Sequence, residues 1–387
     1  MNRLCGLSYT FLPLNRRKFM IRRVFFALMV LPLCYAAHAQ LATAPAPHRF
    51  ADVVKTSREA VLKDFHQKAY PGIALSVLVA GQTVWSEGFG YADLEQRVPM
   101  WPTNKFRIGS ISKPITAAAV GLLVEEGRLD VDAPVQHYVP YFPEKRWPVT
   151  TRQLGGHLGG IRHYLGEEFF STVSYPTVES GLTMFAADTL LYEPGSAFTY
   201  SSHGWNLISA VVEGAAKVPF LEYVRQTVFG RLGMNHSVAD HPDSLITQRV
   251  RFYVRSADGT LLNAPYVDNS YKWAGGGFLS SPEDLVRFGN AHLGDGFLSG
   301  EVREILFTPQ HTTDGENTGY GFGWRIETRE DGRRYLSHGG GSVGGTSILV
   351  MQPDTEVVLA AMINMTAANL EVADTVLSLF VEAAANQ

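Results

Sequence analysis

The sequence predicts an α/β protein, in which one α/β body carries an all-helical insert. Strand patterns of alternating or continuous apolar residues occur near both ends of the chain, at 73–80, 83–91, 321–327, 334–337, 346–352 and 356–363. The middle of the chain, about 150–270, instead shows apolar residues at helical spacing, interrupted by Gly and Pro. The 387 residues are 45% hydrophobic and 18% charged, which is typical of a globular protein with a large core.

The first predicted helices and strands follow from the spacing of apolar residues and from the positions of Pro and Gly. Apolar residues three and four apart predict a helix over 50–69, which Pro71-Gly72 ends. The next two strands flank a tight turn at Gly81-Gln82. A second helix is expected from Ser110 to about residue 126, where Gly127 provides a stop.

The later elements are separated by loops and marked by helix-start signals. Residues 130–148 are rich in proline and aromatic residues, which indicates a loop region. The central insert contains helical patches at 179–190, 204–216 and 219–232. A helix start is expected at Ser281-Pro282, which places a capping serine before a proline at the first helical position. A last helix is expected over 367–384.

The N-terminal 39 residues predict a signal peptide. They contain six basic and no acidic residues, an apolar run at 24–37, and Ala-x-Ala at 37–39. Met20 is a possible alternative start. Residues 40–49 are then a linker and 50–387 a single catalytic domain. We expect export to the periplasm or the medium, with a mitochondrial transit peptide as the alternative.

Composition excludes several classes of function. The formal net charge is −4, without the basic surplus typical of nucleic-acid binding. Both cysteines, Cys5 and Cys34, lie in the leader, so we expect neither disulfides nor thiol chemistry after its removal. No later segment is long and apolar enough to predict a membrane span. The histidines show no tight metal-ligand spacing, and we expect neither a metal nor another cofactor.

Ser110 and Lys113 are the first candidate catalytic pair. They are three residues apart at the expected start of a helix, so their side chains lie on one face of its first turn. A serine hydroxyl becomes a good nucleophile when a nearby base removes its proton. A lysine can be that base if burial or a neighbouring charge lowers its pKa. The pattern therefore indicates a nucleophile for acyl transfer.

Two later stretches provide candidate partners for this pair. The first, 193–204, contains Tyr200-Ser201-Ser202. The second, 338–345, begins with His338 and continues with a run of glycines that can approach a ligand closely. A backbone N–H group in such a run could stabilise an oxyanion.

These three stretches resemble the ordered motifs of the serine β-lactamase and penicillin-binding-protein superfamily, in its class C-like branch. Within it, the flanking sequences at 135–140, 157–164 and 200–204 resemble the mitochondrial serine β-lactamase-like proteins of animals and their bacterial relatives. The resemblance covers about residues 50–385. It implies a β-lactamase/transpeptidase-like fold, with an antiparallel sheet flanked by helices.

The resemblance also implies catalytic roles. Ser110 would attack the acyl carbon, and water would later release the acyl group. Either a neutral Lys113 takes the serine proton, or a protonated Lys113 stabilises a Tyr200 phenolate. The N–H groups of Ser110 and Gly341 would form the oxyanion hole. His338 would lie near a substrate carboxylate or assist proton movement.

The same resemblance places Ser202, Gly339 and Gly340 at the substrate. Here the chain departs from the family pattern, because Ser202 replaces an asparagine, His338 a lysine and Gly339 a threonine. Each change removes a group suited to a β-lactam or peptide ligand. We therefore expect an esterase or peptidase that acts on a small or peptidic acyl substrate, rather than an efficient β-lactamase.

The glycine run and the fold each allow a rival interpretation. Gly340-Gly341-Ser342-Val343-Gly344 matches the nucleophile elbow of α/β-hydrolases, but that mechanism needs a histidine after the serine and none follows His338. The other rival is a non-catalytic binding or assembly protein on the same fold. The intact Ser110, Lys113 and Tyr200 favour an enzyme.

Overall fold

A seven-stranded antiparallel sheet forms the centre of the computed structural model, which describes residues 48–386. Its strands lie side by side in the order β3-β2-β1-β12-β11-β10-β9. They are β1 (Gly72–Val79), β2 (Gln82–Asp93), β3 (Val98–Pro99), β9 (Arg325–Thr328), β10 (Arg334–Ser342), β11 (Gly345–Gln352) and β12 (Val357–Ile363). The expected α/β fold class is confirmed. The predicted signal peptide and almost all of the predicted linker lie outside the described residues.

Helices cover both faces of this sheet. Those of the described chain are α1 (Ala51–Lys68), α2 (Ser112–Glu125), α3 (Thr151–Gly155), α4 (Val178–Leu182), α5 (Ser202–Ala216), α6 (Phe220–Val224), α7 (Trp273–Gly276), α8 (Pro282–Ala291), α9 (Gly300–Phe307) and α10 (Glu371–Ala385). Every residue of β1 is buried, which explains its continuous apolar sequence. Helices α1 and α10 pack on one face, while α2, α5 and α8 belong to the core on the other.

The region 150–270 differs from the expected all-helical insert. It contains α3 to α6, but also three short strands, β5 (Val238–Ala239), β6 (Tyr253–Arg255) and β7 (Leu261–Asn263). Strand β5 joins β4 (Phe106–Arg107) and β8 (Phe278–Ser280) in a second small sheet, and β6 pairs with β7 as a hairpin. The prediction of an insert without strands was therefore wrong, because two- and three-residue strands carry too little periodicity to detect.

Several element boundaries also differ, two of them by many residues. The patch expected to be helical over 179–190 forms a helix only to Leu182, after which the chain turns and Leu191 N–H donates to Gly160 O. Strand β10 extends to Ser342 rather than ending at 337. Its glycines continue the pairing with β11, with Gly341 opposite Thr346, and their low strand propensity concealed this from the sequence.

Capping predictions were more accurate. The Ser281 side chain accepts a hydrogen bond from Asp284 N–H at the start of α8, with Pro282 at the first helical position. This is the arrangement that the Ser-Pro pair indicates. Among the described helices, none is long and apolar enough to cross a membrane.

Candidate active site

Ser110 lies in a tight 3-10 turn, Gly109–Ile111, immediately before α2. The α-helix itself begins at Ser112, two residues later than expected. Ser110 and Lys113 nevertheless remain one turn apart, and Lys113 Nζ lies 3.0 Å from Ser110 Oγ. The spacing in the sequence therefore predicted a real contact.

Lys113 is completely buried. Its Nζ also lies 3.1 Å from Ser202 Oγ and 2.8 Å from Gly275 O. Burial, with a smaller contribution from the positive charge of Lys272, lowers the pKa of Lys113 well below its ordinary value. A neutral amine can donate to Gly275 O and Ser202 Oγ while its lone pair accepts the Ser110 proton. The geometry is thus suited to a general base.

Tyr200 lies two residues before α5 and is half-buried beside the same amine. Lys113 Nζ is 4.8 Å from the centre of the Tyr200 ring. Burial raises the pKa of Tyr200 to about 12, while the neighbouring Ser110 side chain acts in the opposite direction. A phenol with this pKa keeps its proton near neutral pH. In this environment Tyr200 is therefore better suited to donating or relaying a proton than to starting as a phenolate.

The glycine run of β10 approaches the Ser110 turn closely. A Cβ at Gly340 would lie 1.9 Å from Ile108 O, and a Cβ at Gly109 would lie 2.5 Å from Gly341 O. Gly109 also has a φ of +49°, which favours glycine. These glycines let the strand pack against the backbone next to Ser110. Gly341 is exposed. Because β10 packs against the Ser110 turn, the N–H groups of Ser110 and Gly341, which are expected to form an oxyanion hole, lie on neighbouring segments.

His338 is buried next to this glycine run. Its Nδ1 lies 2.6 Å from Gly339 O, so Nδ1–H donates and Nε2 accepts from the Tyr320 hydroxyl at 2.7 Å. Burial and the Lys113 charge lower the pKa of His338 to about 3, which keeps the ring neutral. Both ring nitrogens are therefore engaged within the protein.

The residues expected to bind substrate are divided between two environments. Ser202 lines the cavity that opens at Ser110, as does Gly341 of the expected oxyanion hole. Gly339 contributes its carbonyl to His338, and Gly340 packs against Ile108 O. Neither Gly339 nor Gly340 lines the cavity, so their clearest effect in the structure is to position β10.

The cavity has a volume of about 230 Å³. Its lining residues are Ser110, His163, Tyr164, Phe169, Tyr200, Ser202, Lys272, Gly275, Gly276 and Gly341. Sequence reasoning missed Lys272 and the aromatic residues Tyr164 and Phe169. The only signal was the position of Lys272 shortly before the Gly275-Gly276-Gly277 run.

Two further histidines hold the backbone that follows Tyr200. His157 Nδ1 accepts from Ser201 N–H and His163 Nδ1 from Ser202 N–H, each at 3.1 Å. Burial lowers the pKa of His163 to about 4 and that of His157 well below its ordinary value. Both are therefore neutral rings that fix the backbone before α5. Within residues 48–386, no group of three or more potential ligands could hold a metal ion.

A buried lysine beside a serine at a helix start, a neighbouring tyrosine and a glycine-rich strand edge together define the serine acyl-transfer class of site. The beta-lactamase family model matches residues 50–380, and the chain belongs to this family of β-lactamase-fold serine hydrolases.

Individual relatives agree with this assignment. The human serine beta-lactamase-like protein LACTB, mitochondrial, is 35% identical over 81% of this chain and 75% of its own length. Penicillin-binding protein 4* of Bacillus subtilis is 27% identical over 73% of this chain and 66% of its own.

Solved structures show the same fold. The octameric penicillin-binding protein homologue from Pyrococcus abyssi superposes with a TM-score of 0.74 at 28% identity, covering 85% of this chain and 77% of its own. The D-amino acid amidase from Ochrobactrum anthropi, complexed with L-phenylalanine amide, gives a TM-score of 0.71 at 25% identity, covering 87% and 99%.

Proposed function

We propose that this protein is an acyl-serine hydrolase, esterase or peptidase-like, that acts on a small or peptidic acyl substrate. The observation that carries the proposal is the 3.0 Å contact between the buried Lys113 Nζ and Ser110 Oγ. An amine whose pKa is lowered by burial can take the hydroxyl proton near neutral pH. Membership of a family that includes a penicillin-binding protein and a D-amino acid amidase supports acyl transfer as the type of reaction.

In the proposed first step, neutral Lys113 takes the proton from Ser110 Oγ as this oxygen attacks the acyl carbon. The acyl oxygen becomes an oxyanion, which the N–H groups of Ser110 and Gly341 stabilise. The proton then passes to the leaving oxygen or nitrogen, either directly or through the Tyr200 hydroxyl. The bond to the leaving group breaks, and an ester between the acyl group and Ser110 remains.

Water completes the proposed cycle. It attacks the acyl-serine carbon, its proton returns through the Lys113 and Tyr200 pair to Ser110 Oγ, and the carboxylic acid leaves. In this scheme His338 supports β10 through Gly339 O, because neither of its nitrogens faces the substrate without first leaving its present partner. No metal or other cofactor takes part in the proposed steps.

The test is hydrolysis of a short-chain nitrophenyl ester by the protein from residue 40 onward, beside Ser110→Ala. We expect a burst of nitrophenol followed by steady turnover in the wild type, and neither in the variant. Mass spectrometry of the quenched protein should find the acyl group on the peptide that contains Ser110. Equal ester hydrolysis by both proteins, with no acyl adduct, would instead favour a non-catalytic binding or assembly role.

We also propose that residues 1–39 direct the protein out of the cytoplasm, to the periplasm or the medium. The basic start, apolar run and Ala-x-Ala site support export, whereas the mitochondrial name of the human relative favours the alternative. Fractionation of cells that express the full chain, with N-terminal sequencing of the product, tests this. A product beginning at Gln40 in the periplasm or medium is expected, and an unprocessed cytoplasmic protein would contradict it.

A further inference from the structure

Lys272 is a second buried lysine at the cavity, and the proposed mechanism gives it no role. It is 2% exposed and lines the same cavity as Ser110 and Gly341. It lies in a short 3-10 turn, Ser270–Lys272, directly before α7. The backbone of this turn and helix therefore fixes where the side chain enters the cavity.

The ammonium group of Lys272 has few protein partners. Its one acceptor among residues 48–386 is Phe169 O, at the long distance of 3.5 Å. No carboxylate of the described chain lies within 4.0 Å of it, since it takes part in none of the ion pairs found there. The neighbouring Asp240 is engaged by Arg107, whose Nε lies 2.6 Å away. An ammonium has three donors, so Lys272 retains capacity for a ligand.

Three aromatic rings lie near this ammonium group. Lys272 Nζ lies 4.4 Å from the centre of the Phe169 ring, 5.1 Å from Tyr271 and 5.6 Å from Tyr164. Ring faces stabilise a cation without neutralising it. They also exclude water, which strengthens the attraction between the cation and an anion in the cavity.

The charged groups around the cavity are of both signs, but the carboxylates among them are paired with arginines. Lys272 acts on Lys113, and Arg325 acts on Tyr200. Asp240 acts on Lys272 and Glu168 on His163, but Asp240 is paired with Arg107 and Glu168 with Arg162. The chain as a whole has a formal charge of −4. With these carboxylates paired, the positive charge of Lys272 at the cavity favours an anionic ligand.

We propose that Lys272 binds a carboxylate carried by the acyl part of the substrate, so that the enzyme prefers short acyl groups with a terminal carboxylate. This rests on the proposed acyl-serine function. The acyl part stays attached to Ser110 after the leaving group departs. It therefore occupies the small cavity that Ser110 and Lys272 both line. A carboxylate on an acyl part held in this cavity forms a charge-assisted hydrogen bond to Lys272 Nζ.

The test compares two esters that differ only in charge, mono-4-nitrophenyl glutarate and its methyl ester. The measured quantity is the ratio of their kcat/KM values within each protein. This ratio cancels any general effect of Lys272 on the base Lys113. We expect the wild type to prefer the carboxylate ester by about tenfold or more, and Lys272→Met and Lys272→Gln to lose most of that preference.

Lys105→Met is the matched control. Lys105 is another buried lysine, but its Nζ donates to Thr247 O and it does not line the cavity. This variant should keep the wild-type ratio. A wild-type enzyme that hydrolyses both esters equally, or a ratio that survives in both Lys272 variants, would overturn the proposal.

Calorimetric titration with glutarate separates this proposal from the proposed function. Glutarate should bind to the wild type and to Ser110→Ala, but at least about tenfold more weakly to Lys272→Met. If neither ester is hydrolysed but this binding pattern holds, the hydrolase proposal fails and the carboxylate site stands. Equal binding to wild type and Lys272→Met, or no binding to either, would refute the carboxylate site whatever the esters show.

Discussion

One face of the main sheet buries two lysines that have no ion-pair partner within the described chain, and the other pairs the acidic side chain that it buries. On the face covered by α1 and α10, the buried Glu87 accepts from Arg58 and from Trp85 Nε1, each at 2.8 Å. On the face that carries the candidate site, Lys113 and Lys272 are buried without an ion-pair partner within the described chain. A paired charge supports the fold, whereas an unpaired one lowers stability and remains free for chemistry. Substitutions on the two faces should therefore have opposite consequences.

The largest expected effect is loss of the base. Lys113→Met should lower kcat/KM for a neutral nitrophenyl ester by about 10²–10⁴-fold, since the serine proton then has no positioned acceptor. The melting temperature should stay the same or rise, because a buried amine is replaced by an apolar chain of similar shape. Lys105→Met is the control and should keep its activity. A Lys113→Met protein that unfolds readily would contradict the idea that this lysine serves function rather than stability.

The opposite face should show the reverse pattern. Leu359 is 1% exposed in β12, opposite Val77 of β1, and packs in the core below α1 and α10. Leu359→Ala should lower the free energy of unfolding by about 2–5 kcal/mol through lost burial and a cavity, as measured by urea denaturation. The kcat/KM value of the remaining folded protein should change little. Leu245→Ala, at a fully exposed position, should change neither quantity.

Gly340 connects the two faces, because β10 belongs to the sheet and borders the site. Gly340→Ala places a Cβ against Ile108 O, so the strand or the Ser110 turn must move. We expect a loss of about 1–3 kcal/mol in unfolding free energy, together with a reduced rate of Ser110 acylation. At Gly341 a Cβ would meet no atom within 4 Å. Gly341→Ala should therefore keep the wild-type melting temperature. An equal loss of unfolding free energy in Gly340→Ala and Gly341→Ala would argue against a steric cause.

The unpaired charge of Lys272 makes a prediction for the pH dependence of stability. Burial lowers the pKa of Lys272 to about 7, against about 10.4 in an unfolded chain. Between these values the unfolded chain binds more protons, so this group destabilises the fold fully below about pH 7 and progressively less as the pH rises towards 10.

Lys272→Met should therefore raise the melting temperature more at about pH 6 than at about pH 9. Lys55→Met, which removes an exposed lysine of α1, should show no such difference. A gain for Lys272→Met that is equal at both pH values would mean that Lys272 stays protonated in the fold throughout this range.

The sequence predicted those parts of the molecule that depend on local pattern. Ser110 and Lys113 are neighbours along one helical turn, and the Ser281 cap lies within its own helix, so spacing was sufficient for both. Lys272 was missed because Tyr164 and Phe169, which surround it, are about a hundred residues away in the chain. The strands β6 and β7 were missed because three residues give no reliable period.

His338 shows the same limit and gives the smallest expected effect. The motif order identified the residue, but not the hydroxyl of Tyr320 that donates to its Nε2 at 2.7 Å. Tyr320→Phe leaves this buried nitrogen unpaired and should lower the free energy of unfolding by about 1–3 kcal/mol. With a pKa lowered to about 3, the His338 ring stays neutral, so kcat/KM should fall less than about tenfold and by the same factor from about pH 6 to pH 9.

Tyr335→Phe is the control for the loss of a tyrosine hydroxyl, because it removes a hydroxyl that is bound to Asp331 instead of to His338. A hundredfold loss in Tyr320→Phe at unchanged stability would instead mean that Tyr320 and His338 carry a proton during the reaction.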